Sequence, residues 1–400
     1  MLRAAWICPI ATPPIANGWV AVEAGRIVAV GDRSTLPRAG AVDLGDVALM
    51  PGLVNAHVHF ELSPLRGLVP PAPAFPDWVR QLFALRRPGD RPDTPEAQAA
   101  ISRAIEEAHA SGTALVGDIS NSLAAVGLLA QSPIGGRVFH ELLGFRVTDD
   151  GPVRASREAR AALDAGGDVT LGVAPHAPYS VSPELFRHIR AEADRLVPPI
   201  SSVHLGESPE EVELLGAGTG PWRSLLEQIG AWRDDWEPPG CDPAEYLDRL
   251  GVLAPRTLVV HGVQFDDAAL ARVAARGAVL VTCPRSNVWV GVGVPPVGRF
   301  YRSGVPVAVG TDSLASVADL NLFSELAALR SAAPDVPPRR LLESATLVGA
   351  RALGFEATHG SIEPGKRAAL IAVALPGAVD DVEAFLVGGI APSQVRWIAS

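Results

Sequence analysis

Cysteine is scarce in this chain of 400 residues, and its scarcity excludes two kinds of framework. The three cysteines, Cys8, Cys241 and Cys283, lie far apart and in no paired spacing. A fold held by disulfides needs more of them, and a structural zinc knuckle needs closely spaced pairs. We therefore expect the three thiols to be reduced and mostly structural.

Long apolar runs and clusters of basic residues are also missing. Prolines 9, 13 and 14 interrupt the stretch 1–20, which holds no apolar run suited to a signal peptide or a membrane span. The formal charge of −10 is spread along the chain without a basic run. These absences predict a cytoplasmic protein with no membrane or nucleic-acid partner, and they leave a homodimer open. Lysine is almost absent too, since Lys366 is the only one.

What is present is typical of a globular protein. Hydrophobic residues make up 48% of the chain and charged residues 20%, and 400 residues are enough to bury a large core. We expect one large domain and one small one.

The middle of the chain alternates short β-rich runs with helical stretches. Helix start signals stand at Thr94-Pro95-Glu96 and Ser182-Pro183-Glu184. Alternation of strand and helix calls for parallel pairing with the helices outside, so we predict an α/β fold, a (β/α)8 TIM barrel over residues 51–357. The eight predicted strands are 53–57, 113–119, 136–141, 169–175, 200–204, 257–261, 278–282 and 305–311.

The two ends of the chain carry a different pattern. Short alternating segments within 1–50 and 358–400 predict a small β-sandwich domain built from both termini. The stretch 207–250, rich in proline, glycine and tryptophan, is long for a connection and is interpreted as an elaborated active-site loop.

Polar residues stand at the carboxyl ends of several predicted strands. His57 and His59 are two apart and share a face of the first strand, although such a pair alone is as often only a polar strand end. His204 ends the fifth strand, His261 ends the sixth, and Asp312 follows the eighth. Because a barrel gathers these ends at one rim, the set favours a metal site over five unrelated structural residues.

The order HxH, HxxE, His and TD resembles the deaminase branch of the amidohydrolase superfamily. The segments PGLVNAHVHF, CPRSN, GTDSLAS, ATLVGARALG and GSIEPGKRA extend the resemblance over nearly the whole chain. The resemblance implies one divalent metal, zinc or alternatively ferrous iron, with an open position for water. The ligands it implies are His57, His59, His204 and Asp312.

The same resemblance implies roles for three catalytic residues. Glu207 matches the proton-shuttling glutamate, although an exposed loop glutamate is the plain alternative, and His261 with Asp312 matches the pair that orients and deprotonates water. Superfamily members with two metals generally bridge them through a carboxylated lysine at the end of the fourth strand. That strand here ends in VAPHAPYS, and Lys366 lies in the tail, so a binuclear site is disfavoured.

Four segments look most similar to aminodeoxyfutalosine deaminases: HVHFELS, HLGESPEEVELLGAGTGPW, CPRSNVWVGVG and GTDSLAS. That similarity implies hydrolytic deamination of the adenine ring of a nucleoside, converting 6-amino-6-deoxyfutalosine to futalosine and ammonia in menaquinone biosynthesis. The alternatives are S-adenosylhomocysteine or 5′-methylthioadenosine deaminase and, more distantly, guanine deaminase or an aromatic chlorohydrolase. A non-catalytic scaffold of the same fold is disfavoured, because a scaffold has no use for the complete ligand set with Glu207 and His261.

Five residues are candidates for substrate contact. His176 matches a position near the sugar, or else caps a strand. Arg146 and Arg285 have the planar fork that holds a carboxylate, although surface arginine is the commoner role. Asp77 and Trp78 resemble a segment that frames a nucleoside, with a core position as the alternative for Trp78.

Overall fold

A computed structural model of the chain describes residues 1–35, 40–85 and 92–398. Seventeen strands, fifteen α-helices and three short 3-10 helices lie within these ranges. The strands are β1 (Leu2–Arg3), β2 (Trp6–Ile7), β3 (Ile15–Ala16), β4 (Trp19–Glu23), β5 (Arg26–Gly31), β6 (Val42–Asp43), β7 (Val47–Pro51), β8 (Leu53–Val58), β9 (Thr113–Ser120), β10 (Gly135–Leu142), β11 (Val169–Pro175), β12 (Ser201–Leu205), β13 (Thr257–His261), β14 (Val279–Thr282), β15 (Val307–Val309), β16 (Leu370–Ala374) and β17 (Val395–Trp397). The helices are α1 (Phe75–Leu85), α2 (Pro95–Ala110), α3 (Val126–Ala130), α4 (Gly151–Ala161), α5 (Pro183–Ala193), α6 (Pro209–Ala217), α7 (Pro221–Gln228), α8 (Pro243–Arg249), α9 (Asp267–Ala275), α10 (Pro284–Trp289), α11 (Val297–Arg302), α12 (Leu322–Ala332), α13 (Pro338–Ser344), α14 (Leu347–Leu353) and α15 (Val382–Leu386).

Each of the eight predicted central runs forms a strand. They make two four-stranded parallel sheets, β8 to β11 and β12 to β15, each in chain order and with helices between the strands. The predicted mixed α/β fold with parallel sheets is confirmed. The last strand is shorter than predicted, because the chain leaves the ladder after Val309 and turns through Asp312, whose φ is +62°.

Backbone hydrogen bonds join the two sheets at both of their edges. Between β11 and β12, the His204 N–H donates to the His176 carbonyl over 2.9 Å. Between β15 and β8, the N–H groups of Thr311 and Asp312 each donate to the His57 carbonyl over 3.1 Å. Isolated backbone hydrogen bonds outside the strand ladders thus link the two sheets at each edge.

Burial on both faces explains why apolar residues predominate in the central strands. Every residue of β8 and of β9 is buried, as expected for parallel strands covered by helices. The helices begin where the sequence predicts. The side chains of Thr94 and Ser182 cap α2 and α5 by accepting the N–H of Ala97 and Leu185, and each helix has proline in its first turn.

The prediction that residues 207–250 form one long loop is wrong in one respect. The segment contains three short helices, α6, α7 and α8, and each opens on a proline. Proline suits the first helical position because the N–H it lacks has no partner within the helix there.

Both chain ends contribute to the sheets outside the central strands. One sheet has the order β5-β4-β1-β6, and the other has the order β17-β16-β7-β2-β3. Antiparallel pairing of β16 with β7 brings the tail onto the N-terminal segment, and side chains of both, such as Leu49 and Leu370, share one buried cluster. Across the part of the chain that the structure describes, no helix has the length and apolar character needed to span a membrane.

Candidate active site

Three histidines and one aspartate that are distant in sequence meet at the carboxyl ends of the central strands. One ring nitrogen from each of His57, His59 and His204 lies within 4.8 Å of the other two. The Nε2 atoms of His59 and His204 are 3.4 Å apart. The Asp312 Oδ1 lies 3.5 Å from His59 Nε2 and 3.8 Å from His57 Nε2. Strand ends at β8 and β12 and the turn after β15 thus bring together the whole predicted ligand set.

The chemistry of these donors fits a divalent cation. His57 is completely buried, and neither of its ring nitrogens has a hydrogen-bond partner. An unsatisfied buried polar group costs about 1–3 kcal/mol, so its lone pair needs a ligand. Burial, assisted by the neighbouring imidazoles, lowers the pKa of His57 well below its usual value and keeps the ring in the neutral form that binds metals. Imidazole nitrogen and carboxylate oxygen are ligands typical of zinc.

The orientation of His204 also suits a ligand. Its Nδ1 lies 3.1 Å from the His176 carbonyl oxygen, which accepts the Nδ1–H. Donation at Nδ1 leaves the lone pair on Nε2, the atom that faces the other histidines. Such a second hydrogen bond is the usual way in which proteins fix the tautomer of a metal-binding histidine.

Glu207 and His261 lie beside this group and are almost inaccessible to solvent. Glu207 follows β12 and His261 ends β13, and the Glu207 Oε1 lies 3.5 Å from the His261 Nε2. Burial, with the Asp312 and Glu211 carboxylates nearby, raises the pKa of Glu207 well above its usual value. The raised pKa favours the protonated form of the carboxyl, which is the form that a proton donor needs.

His261 and Asp312 have an uncommon backbone conformation. Their φ angles are +78° and +62°, in the left-handed region that side chains other than glycine rarely adopt. Such strain persists where the surrounding structure imposes it, and it is concentrated at functional sites. Both side chains line the same cavity.

Two residues that the sequence argument missed hold these side chains. The Ser286 Oγ donates to the Asp312 Oδ2 over 2.5 Å, and the Asn287 Nδ2 lies 3.0 Å from the His261 Nδ1. Both are fully buried in α10, which begins directly after β14. They belong to the CPRSN segment. Its position after the seventh strand, at the end of the central strands where the other site residues lie, could have indicated that they belong to the site.

A cavity of about 390 Å³ opens above the group and has largely aromatic and aliphatic walls. Tyr179 and Trp222 stack in parallel with ring centroids 3.9 Å apart. Trp222, Leu225 and Leu226 come from α7, so the 207–250 segment does line the site. Apolar walls around a few polar groups are typical of a pocket for a small molecule. Besides the histidines, the aromatic residues of the wall are Phe75, Trp78, Phe83, Phe145, Tyr179 and Trp222.

Two of the five predicted substrate contacts lie in the cavity wall. His176 lies there with its Nδ1 2.6 Å from the Ser180 Oγ, and Trp78 contributes its ring from α1. Asp77 is exposed beside Trp78 and accepts a hydrogen bond from Arg80 over 2.8 Å. The structure thus brings only the second residue of the Asp77-Trp78 pair to the wall.

The two arginines bind protein groups outside the cavity wall. Arg285 donates to the carboxylates of Glu325 and Asp319 over 2.6 and 3.0 Å. Arg146 is exposed and donates to the Gly230 carbonyl over 3.1 Å. Among the described residues, the wall contains carboxylates but neither arginine nor lysine.

The chain is similar to several known proteins over nearly its full length. A 5-methylthioadenosine/S-adenosylhomocysteine deaminase of Moorella thermoacetica is 29% identical, over 99% of this chain and 91% of that protein. A crystal structure of an adenosine deaminase from Xanthomonas campestris with bound zinc is 28% identical, with a TM-score of 0.82 over 98% of this chain and 90% of that one. The Helicobacter pylori aminofutalosine deaminase, crystallised with methylthio-coformycin, is 26% identical, with a TM-score of 0.83 over 96% of this chain and 94% of that one.

The family model described as the amidohydrolase family matches residues 48–392. That range includes the four residues around the candidate metal position as well as Glu207 and His261. Family match, relatives and site geometry agree, and we conclude that the chain belongs to the amidohydrolase family and is a hydrolase that acts on C–N bonds.

Proposed function

We propose that this enzyme hydrolytically removes the amine from the adenine ring of an adenosine-like nucleoside, with 6-amino-6-deoxyfutalosine as its preferred substrate. The observation that carries the proposal is the buried Glu207–His261 pair beside a cluster of metal-binding side chains, at the floor of an aromatic cavity. Deaminase relatives and the aminofutalosine deaminase structure support it.

His57, His59, His204 and Asp312 are the proposed ligands of one divalent ion. Zinc is the first choice and ferrous iron the alternative, and the zinc of the adenosine deaminase neighbour supports zinc. When bound, such an ion lowers the pKa of water toward about 7 and so supplies a nucleophile near neutral pH.

The chain's own residues then divide the proton transfers between them. Asp312 and His261 orient the attacking water and take its proton. Glu207 gives its proton to the ring nitrogen next to the attacked carbon. The C–N bond to the exocyclic amine breaks, and the amine leaves as ammonia with the proton taken from water. The remaining proton of the added hydroxyl returns to Glu207, which restores its acid form and leaves a ring carbonyl.

The aromatic wall supports a substrate with an aromatic group on its ribose. Trp222, Tyr179 and Trp78 offer flat apolar surfaces that stack with a benzoate ring or a purine.

A second candidate substrate is 5′-methylthioadenosine or S-adenosylhomocysteine. Its support is that Arg146 and Arg285, the predicted partners of a benzoate, donate to protein oxygens instead.

Parallel steady-state kinetics would test the proposal. Loss of the amine is followed by ultraviolet absorbance with aminodeoxyfutalosine, 5′-methylthioadenosine, S-adenosylhomocysteine, adenosine and guanine. We expect the highest kcat/KM with aminodeoxyfutalosine. A higher value for the methylthio nucleoside would favour the second candidate, and a preference for guanine would refute the nucleoside proposal.

We also propose that the two parallel sheets form one closed barrel domain over residues 51–357. The hydrogen bonds of His57 with Thr311 and Asp312, and of His176 with His204, support closure at both edges. Residues 1–50 and 358–400 form the second, small β-sandwich domain, supported by the shared apolar cluster between their sheets.

A further inference from the structure

Glu211 is a buried carboxylate to which neither the motifs nor the proposed chemistry assign a role. It lies in the first turn of α6 with 0% of its surface exposed. Its Oε1 accepts the N–H of Gly206 over 2.9 Å, and its Oε2 accepts the N–H of Glu207 over 3.0 Å. Both carboxylate oxygens are thus committed to the backbone that carries Glu207.

This arrangement differs from ordinary helix capping. Ser208 is the N-cap residue of α6, and its side chain accepts the N–H of Glu211. In a capping box, the residue three positions after the cap bonds back to the N–H of the cap itself. Here the carboxylate passes Ser208 and reaches the two N–H groups before it.

Gln264 holds the same backbone from its other side. Its side-chain Nε2 donates to the Glu207 carbonyl over 3.3 Å, and its own N–H donates to the Gly206 carbonyl over 2.8 Å. Phe265 packs under Gly206 so closely that a Cβ on that glycine would lie 2.3 Å from the ring. Both the N–H and the C=O of Glu207 therefore have fixed partners.

A role in helix stability alone does not account for a carboxylate at this position. Burying a charged carboxylate costs desolvation energy, so a neutral side chain would cap the helix at lower cost. The arrangement has value when the position of Glu207 itself matters. A misplacement of about 1 Å at a reacting group costs as much as a hundredfold in rate.

We propose that Glu211 is the positioning residue for Glu207. By binding the two successive N–H groups, it fixes the point from which the Glu207 carboxyl meets the substrate ring. This inference rests on the proposed proton transfer by Glu207. Among the described residues, Glu211 is not part of the cavity wall or of the candidate metal-ligand group.

The kinetic test uses Glu211→Gln, which keeps the shape of the side chain but replaces one acceptor oxygen by a donor. We expect kcat to fall by about tenfold to a hundredfold with KM within twofold and with metal content unchanged. The matched control is Glu213→Gln, an exposed carboxylate on the same helix that binds Thr219, and its kinetics should equal those of the wild type. An unchanged kcat in Glu211→Gln would overturn the proposal.

A double-mutant cycle separates positioning from general damage. In a Glu207→Gln background the group being positioned is gone, so adding Glu211→Gln should not lower the residual kcat further. If Glu211→Gln lowers the residual kcat of Glu207→Gln by the same factor as it lowers the wild-type kcat, Glu211 does not act through Glu207.

Hydrogen–deuterium exchange of peptides covering 204–212 provides a readout that needs no substrate. Exchange should rise in Glu211→Gln and stay at the wild-type level in Glu213→Gln, and equal exchange in all three proteins would refute the holding role. Absence of deaminase activity in the wild type would instead refute the proposed function. Should Glu211→Gln fail to fold, Gln264→Ala loosens the same peptide group, and an unchanged kcat in that variant contradicts the positioning argument.

Discussion

Gly310 lies directly against His57, and the absence of a side chain there makes room for the imidazole. A Cβ at this position would lie 2.7 Å from both the Cβ and the carbonyl oxygen of His57, closer than real Cβ atoms approach. The neighbour it meets includes backbone, which does not move aside cheaply. A single methyl group at position 310 would therefore displace His57 from the site.

We predict that Gly310→Ala removes most of the bound metal and lowers kcat/KM by about a hundredfold or more. Metal analysis and steady-state kinetics measure the two effects. Gly127→Ala is the matched control, because a Cβ there meets nothing within 4 Å and lies in helix α3, where alanine is favoured. Full metal content with normal activity in Gly310→Ala would contradict the placement of His57.

The proposed proton-donor role of Glu207 can be tested separately from metal binding. Glu207→Gln keeps the size of the side chain and removes the transferable proton, so we expect kcat to fall by about 10²–10⁴-fold. Metal content should stay near that of the wild type, because Glu207 lies outside the ligand set. Near-normal turnover in this variant would refute the proton-donor role.

Elements differ in how well the sequence predicts them. The central strands were predictable because short β-rich runs that alternate with helical stretches are typical of parallel strands covered by helices, and their ends fix where His57, His204 and His261 emerge. The helices within 207–250 were missed because proline signals both a loop and the first position of a helix.

The residues of the cavity wall were harder to predict from the sequence than the candidate metal ligands, for a physical reason. The aromatic residues of the wall come from α1, from the segments after β10 and β11, and from α7, and their meeting depends on tertiary packing rather than on strand register. The CPRSN segment illustrates the limit. Sequence pointed to Arg285, whereas Ser286 and Asn287 are the residues that α10 turns toward the site.

Helix α10 gives a prediction at the scale of one element. Asn287→Ala removes the group that holds the His261 ring, so we expect kcat to fall by roughly tenfold while metal content is retained. Val288 is 54% exposed on the same helix, and Val288→Ala should leave both quantities unchanged. Equal kinetics in the two variants would show that α10 does not act on His261.

At the scale of the whole molecule, the tail is attached to the central strands by polar contacts as well as by the sheet of β7 and β16. Arg367 forms an ion pair with Asp168, at the start of β11. His359 lies beside Arg367 with 9% of its surface exposed. Burial, with the positive charge of Arg367, lowers the pKa of His359 to about 4.

This junction predicts a pH dependence of stability. A histidine with a folded-state pKa near 4 and an unfolded value of 6.5 binds its proton more readily when the chain unfolds. Its contribution to stability is fully present above pH 6.5 and is lost as pH falls to 4, by up to about 3 kcal/mol. Denaturant unfolding of His359→Gln at pH 7 and pH 4.5 should show a smaller loss than the wild type, and an equal loss would contradict the assignment.

The peptide groups that join the two parallel sheets belong largely to the candidate ligands. His204 forms one junction, and His57 with Asp312 forms the other. A cation bound by the proposed ligands would cross-link segments of the two sheets that are at least 145 residues apart in the chain. Release of the ion and separation of the sheets become one event, so the unfolding midpoint should rise with free metal concentration by mass action.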